Sequence, residues 1–179
     1  MIMKLIILDR DGVINYDSDA FIKTPDEWKP IPGSLEAIAH LTQAGYRVVV
    51  ATNQSGIGRG LLDMVAFNAI NDKMCKAVNQ AGGRIDAMFF CPHTQADQCG
   101  CRKPATGMFE EIAQRFSLSL KGAPAIGDSL RDLQAAAAAG AAPVLVLTGK
   151  GKETRAAGGF PGNTQIFADL AQAVDTLTG

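Results

Sequence analysis

Apolar residues recur along this chain in two rhythms. Short unbroken runs, Leu5-Ile6-Ile7-Leu8 first among them, alternate with longer stretches where apolar positions return every three or four residues. The unbroken runs predict strands over 4–9, 46–52, 87–91, 123–127 and 144–148, with a weaker one over 165–167. Continuous Val, Ile, Leu and Phe, rather than alternation, is the pattern of a parallel sheet covered on both faces. The helical rhythm fills the gaps. A helix over 34–44 is read as capped by Ser34 and stopped at Gly45, and one over 63–81 carries Phe67, Ile70, Met74 and Val78 at helical spacing. Further helices are predicted over 107–116, 130–139 and 168–177, the Ala135–Ala139 run packing closely on the sheet. Repeated strand–helix alternation implies right-handed crossovers and an α/β, three-layer, doubly wound, mostly parallel sheet. No repeat or linker marks a second domain, so 1–179 reads as one unit. Two stretches read as surface loops: 15–32, rich in Pro and Asp, and 149–163, rich in Gly.

Composition narrows the function classes. With 20% charged residues and a formal net charge of −1, the chain has no basic surplus for nucleic acid or an anionic membrane. That balance argues against a zinc-ribbon nucleic-acid module and against a nucleic-acid 3′-phosphatase. No apolar run approaches the ~18 residues that cross a bilayer. The start Met1-Ile2-Met3-Lys4 enters a strand without the layout of a signal peptide, so a cytoplasmic location is expected. A monomer without membrane or nucleic-acid partners is the matching expectation.

Candidate chemistry sits at the ends of the predicted strands, where open α/β sheets bind their ligands. The first runs into Asp9-Arg10-Asp11-Gly12-Val13. Carboxylates at n and n+2 can share a metal ion or divide nucleophile and acid/base work, although Asp and Gly also form ordinary turns. The second ends in Thr52-Asn53-Gln54-Ser55-Gly56, a hydroxyl and free N–H groups suited to phosphate oxygens, or simply a turn. Arg102 and Lys103 follow the third. The fourth ends Ile126-Gly127-Asp128-Ser129; Asp128 can complete an oxygen-rich Mg²⁺ site, while Asp132 is either a further ligand or a helix N-terminal charge. Cys91, His93, Cys99 and Cys101 crowd into eleven residues, with Cys75 apart. A disulfide framework would spread its cysteines, whereas three thiolates and an imidazole make a closed set for structural Zn²⁺.

In this order the motifs Asp-x-Asp-Gly, Thr, Lys and Gly-Asp-x-x-x-Asp resemble the haloacid dehalogenase-like (HAD) phosphatase superfamily along essentially the whole chain. The resemblance implies a Rossmann-type HAD fold and an aspartyl-phosphate mechanism. Asp9 would be the nucleophile and Asp11 the general acid/base. Mg²⁺ would be held by Asp9, the Asp11 backbone carbonyl and Asp128, while Thr52, Arg102 and Lys103 fix the phosphoryl oxygens. Val13 departs from the Thr of many relatives and is expected to be tolerated. Too few residues separate Asp11 from Thr52 for a separate cap domain, so the site should be open, walled by 15–32 and the zinc loop 91–101. The zinc loop is expected to position Arg102 and Lys103 without taking part in the reaction. Capless members with this loop act on a heptose bisphosphate or on histidinol phosphate. The segments Leu8–Asn15, Thr52–Gly60 and Cys101–Pro104 look most like the heptose-acting group. By the same resemblance Asp17, Ser18, Asp19 and Ala20, with Thr52, Asn53, Gln54 and Ser55, would line a small phosphorylated sugar, in the synthesis of nucleotide-activated heptose for lipopolysaccharide.

Overall fold

Alternate residues of the first strand face opposite ways, and each set is buried, so the sheet needs a helical layer on both faces. The computed structural model, which describes residues 2–179, has that architecture. Strands β1 (Lys4–Leu8), β2 (Tyr46–Asn53), β3 (Ala87–Cys91), β4 (Pro124–Gly127), β5 (Ala142–Val146) and β6 (Gln165–Phe167) form one parallel sheet in the order β3-β2-β1-β4-β5-β6. Helices are α1 (Ser34–Gln43), α2 (Ser55–Gly58), α3 (Met64–Gln80), α4 (Gly107–Phe116), α5 (Leu130–Ala138), α6 (Gly151–Ala157) and α7 (Leu170–Thr178). Ile6 and Leu8 join one core with Ile38, Phe67, Ile70, Met74 and Val174, while Leu5 and Ile7 join the other with Met108, Ile112, Ala135 and Ala136. The alanine run of α5 lets that helix lie close on the sheet, with Ala135 and Ala136 fully buried.

Strand order runs one way from β1 to β3 and the other way from β4 to β6. The reversal leaves a crevice outside the carboxyl ends of β1 and β4, the usual ligand position in such sheets. Asp9 lies there, its N–H donating to the Ile126 carbonyl at 2.9 Å and so continuing the β1–β4 ladder by one residue.

Several local expectations change. Ser34 is the first residue of α1, not its cap; Gly33 takes that place at φ 87°, where a side chain would be strained. The Ser34 hydroxyl instead donates to the Val13 carbonyl at 2.9 Å, tying α1 to the loop after β1. Strand β5 begins two residues earlier than expected, and α7 follows an Asp169 cap that accepts from the Gln172 N–H. The stretch 149–163 is not all loop, because α6 occupies Gly151–Ala157, with its residues Gly151 and Thr154 buried. The stretch 15–32 contains one 3₁₀ turn, Pro25–Glu27, and is firmly seated. Ile22, Trp28 and Ile31 are buried, and Lys73 of α3 donates to the Pro25 and Trp28 carbonyls at 2.7 and 2.8 Å. No helix among the described residues is long and apolar enough to cross a membrane, and Met1 lies outside those residues.

Candidate active site and metal-binding loop

Three carboxylates converge at the crevice. Asp9 after β1, Asp128 after β4 and Asp132 in the first turn of α5 bring oxygens within 4.8 Å of one another. Lys103 reaches them from below. Its Nζ donates to Asp132 Oδ1 and to the Ala51 carbonyl, each at 2.7 Å, and lies 3.5 Å from Asp9. Asp132 takes the helix N-terminal place, its other oxygen capping α5 by accepting from the Ser129 N–H and hydroxyl at 3.1 and 2.9 Å.

The electrostatics follow from that geometry. Burial, then the neighbouring Asp132 charge, pushes the Asp9 carboxyl well above its ordinary value. The same two causes push Asp128 up to about 7. Burial also opposes charge on Asp132 and Lys103, yet their mutual attraction outweighs it, lowering the first and raising the second. One buried ammonium therefore faces three carboxylates, and the surplus negative charge suits a divalent cation with hard oxygen ligands. Two glycines leave space for the Asp128 carboxylate. A Cβ on Gly12 (φ +84°) or Gly149 (φ +56°) would collide with the Asp128 carboxylate. The loop carrying Gly149 also grips Asp128, the Lys150 N–H donating to Oδ2 at 2.9 Å and the Thr154 hydroxyl to its carbonyl at 2.7 Å.

Asp11 has a different environment. Arg10 Nε and Asn15 Nδ2 donate to its Oδ1, each at 2.9 Å; Arg10 Nη2 and Gln54 Nε2 donate to its Oδ2 at 3.2 and 3.0 Å. Burial works against the charge, but Arg10 and these hydrogen bonds hold the carboxyl below its ordinary value.

A cavity of about 250 Å³ opens above these groups. Asp17, Ser18 and Asp19 line it with Thr52, Asn53, Gln54, Ser55 and Arg102, whereas Ala20 faces a neighbouring groove beside Lys23. Asn53 has a second engagement. Its side chain accepts from the Lys103 N–H at 3.0 Å and donates to the Lys103 carbonyl at 3.1 Å, clasping the peptide that carries the buried ammonium.

Five lining residues escape the sequence reading: Phe21, Ile22, Arg59, Arg131 and Lys150. Arg59 and Arg131 each lie a few residues beyond a strand-end motif, and that proximity was the available signal. Phe21 carries a left-handed backbone, φ 65°, and its ring lies 5.9 Å beneath the Arg59 guanidinium. Burial and then the adjacent Arg131 charge lower the Arg102 pKa, so these two cations sit close enough to repel.

The cysteine cluster forms a separate site after β3. Sγ of Cys91, Cys99 and Cys101 and Nδ1 of His93 lie within 4.8 Å of one another, with pairwise separations of 2.9 to 3.6 Å where they touch. A tetrahedron of thiolates at about 2.3 Å from Zn²⁺ has edges of about 3.8 Å, close to those separations. Burial and the Cys101 thiol push Cys91 up to about 12, while hydrogen bonds from the Arg102 backbone and its fellow thiols outweigh burial and bring Cys99 down to about 6. Thiols this close resist ionising together unless a cation joins them, so the donor set fits a soft divalent metal. The loop is anchored by the Gly58 N–H, which donates to the Pro92 carbonyl at 2.9 Å, and leads straight into Arg102 and Lys103.

Comparison with known proteins agrees with this geometry. A family described as polynucleotide kinase 3 phosphatase matches residues 4–129, and one described as HAD-hydrolase-like matches residues 100–173. A D-glycero-beta-D-manno-heptose-1,7-bisphosphate 7-phosphatase of Bordetella bronchiseptica is 61% identical over 175 residues, covering 98% of each chain. The protein of that name from Pseudomonas aeruginosa is 49% identical over 177 residues, covering 99% of each. Among solved structures, the D,D-heptose 1,7-bisphosphate phosphatase of B. bronchiseptica complexed with magnesium and phosphate aligns with a TM-score of 0.97 at 60% identity, covering 98% of each chain. The Burkholderia thailandensis enzyme aligns at 0.79 and 54%, covering 98% of this chain and 99% of its own.

Proposed function

This chain belongs to the HAD-like phosphatases, in the heptose-1,7-bisphosphate 7-phosphatase family, and from that premise we propose how its residues share the work. The protein is a Mg²⁺-dependent hydrolase that removes the C7 phosphate of D-glycero-D-manno-heptose 1,7-bisphosphate, on the route to nucleotide-activated heptose. The β anomer, which the names of the relatives carry, is the one proposed here.

In this reading Asp9 attacks phosphorus, breaking its bond to O7, and Asp11, which must enter this step protonated against the pull of Arg10, gives that proton to the departing alcohol. The aspartyl-phosphate on Asp9 is then hydrolysed by water that Asp11 deprotonates. Lys103 offsets the charge that would keep a carboxylate away from a phosphate, and Thr52 and Ser55 hold phosphoryl oxygens. Mg²⁺, held by Asp9, the Asp11 carbonyl and Asp128, would add the larger share of that charge neutralisation when bound. Asn53 holds Lys103 in place, and Asp17, Ser18 and Asp19 wall the sugar.

One observation supports the bisphosphate over histidinol phosphate: Arg59, Arg102 and Arg131 line the cavity without a carboxylate at ion-pair distance among the described residues, whereas Lys150 lies 3.7 Å from Asp17. A second phosphate is drawn to such a wall, and the ammonium of histidinol is repelled by it. Side-by-side kinetics with Mg²⁺ are expected to favour the heptose bisphosphate by at least about 100-fold in kcat/KM. A preference for histidinol phosphate overturns the reading.

The Cys91, His93, Cys99 and Cys101 cluster is proposed to hold one structural Zn²⁺ that fixes the approach to Arg102 and Lys103. Cys101→Ser is expected to lose the zinc found by metal analysis, and to lower kcat/KM by about 10-fold or more. Full zinc content, or lost zinc with unchanged activity and melting temperature, contradicts this role.

A further inference from the structure

Between the two aspartates stands Arg10, whose side chain is fully buried. A guanidinium is tolerated there only if its charge is paired and most of its five N–H groups are met, and four hydrogen bonds do so. Asp11 is the one carboxylate within ion-pair distance among the described residues, and the fork takes both its oxygens, Nε to Oδ1 at 2.9 Å and Nη2 to Oδ2 at 3.2 Å. The far side of the guanidinium is held too. Nη1 donates to Asn71 Oδ1 of α3 at 3.3 Å, Nη2 also donates to Gln54 Oε1 at 3.3 Å, and the Phe67 ring lies 5.9 Å away. Meanwhile the Arg10 N–H donates to Asp9 Oδ1 at 2.8 Å, so one residue addresses both aspartates.

We propose that Arg10 is a positioning residue for the reaction: its guanidinium, itself locked by Asn71, Gln54 and Phe67, fixes the rotation of the Asp11 carboxylate that faces the cavity. The inference rests on the assignment of Asp11 as acid/base. A two-point contact sets the plane of a carboxylate, which a single ammonium does not do. Asn15 and Gln54 supply the other two hydrogen bonds to that carboxylate, while Asp11 stays 21% exposed. Arg10 lines no part of the cavity, so it acts through Asp11 rather than on the substrate.

A purely structural role and a positioning role differ in what they do to leaving groups. An alkyl phosphate needs a proton on its departing oxygen, whereas p-nitrophenyl phosphate needs almost none. Because kcat/KM stops at formation of the aspartyl-phosphate, it isolates that proton transfer. Arg10→Met is expected to lower kcat/KM for the heptose bisphosphate or glycerol phosphate by about 100-fold, and for p-nitrophenyl phosphate by less than about 5-fold. Arg10→Lys should fall between Arg10→Met and wild type. Asn71→Leu, which removes only the outer support and lies outside the cavity, should show the same split more weakly. If Arg10→Met fails to fold, these two milder variants decide the matter. Equal losses on both substrate types, or no loss in folded variants, overturn the proposal. Asp11→Asn separates the two readings. A split in Asp11→Asn without one in the Arg10 and Asn71 variants removes only the role of Arg10; no split in Asp11→Asn removes the acid/base assignment and this proposal with it.

Discussion

Replacing Asp9 with Asn is expected to abolish turnover, by at least about four orders of magnitude in kcat, without destabilising the metal-free protein. The shape of the side chain is kept while the nucleophilic oxygen loses its charge. Stability goes the other way because Asp9 is a buried acid whose pKa is raised, first by burial and then by Asp132. Such a group stabilises the fold only below its unfolded value. As pH rises through its folded value that contribution is lost, so above that range the burial of Asp9 opposes folding until a cation joins it. Asn removes that opposition. The variant should therefore melt at or above the wild-type temperature without Mg²⁺, and Mg²⁺ should raise its melting temperature less. Phosphate release and thermal melts with and without Mg²⁺ test both halves. Turnover within tenfold of wild type sinks the nucleophile assignment, and a clearly lower metal-free melting temperature contradicts the electrostatic account.

Asp9 is legible because a buried strand that ends in a charge is unusual, and the same reasoning locates Asp128; the thiol cluster is legible from the crowding of Cys91, His93, Cys99 and Cys101. The sheet was legible for a related reason: strands buried on both faces are written in unbroken apolar residues, as in Ile6, Ile7 and Leu8. What escaped lies where composition points one way and tertiary contact another. The Gly-rich stretch after β5 reads as loop, yet Gly151 and Thr154 are buried in α6 because that helix carries the clamp on Asp128. Ser34 reads as a cap, but its hydroxyl serves the Val13 carbonyl 21 residues away.

Polar residues show the same limit. Family resemblance makes Asn53 a substrate-lining residue, and it does line the cavity. Its amide, however, is committed at both ends to the Lys103 peptide, 50 residues further along the chain. Arg10 reads as a variable residue between two aspartates, since nothing local reveals that Asn71 and Gln54 meet its guanidinium. Arg59, Arg131 and Lys150 come from three separate segments, and each alone looks like a solvated surface cation. Residue type and strand position find the candidates for chemistry, while the partners that hold them depend on which segments the topology brings side by side.

Lys103 joins chemistry and stability most tightly, so Lys103→Met should damage both. Loss of the ammonium beside Asp9 is expected to lower kcat/KM by about 1,000-fold, the scale of removing one preorganised charge-stabilising donor. The stem of Met fills most of the same space, so the stability effect is chiefly electrostatic. Asp132 would be left buried without its partner at 2.7 Å, and the Ala51 carbonyl without its donor. Orphaning a buried charge in this way costs about 3–5 kcal/mol, or about 10 °C in melting temperature for a chain of this size. The double variant Lys103→Met with Asp132→Asn separates the two effects. An Asn carbonyl can still accept from the Ser129 N–H and hydroxyl that now cap α5 through Oδ2, while the orphaned charge is gone. The double variant should regain most of the lost stability and none of the lost activity, a coupling that melts and kinetics on the four proteins of the cycle would measure. If activity returns with stability, Lys103 is only a structural counter-ion to Asp132. If neither single nor double variant changes the melting temperature, the Lys103–Asp132 pair does not support the fold as argued.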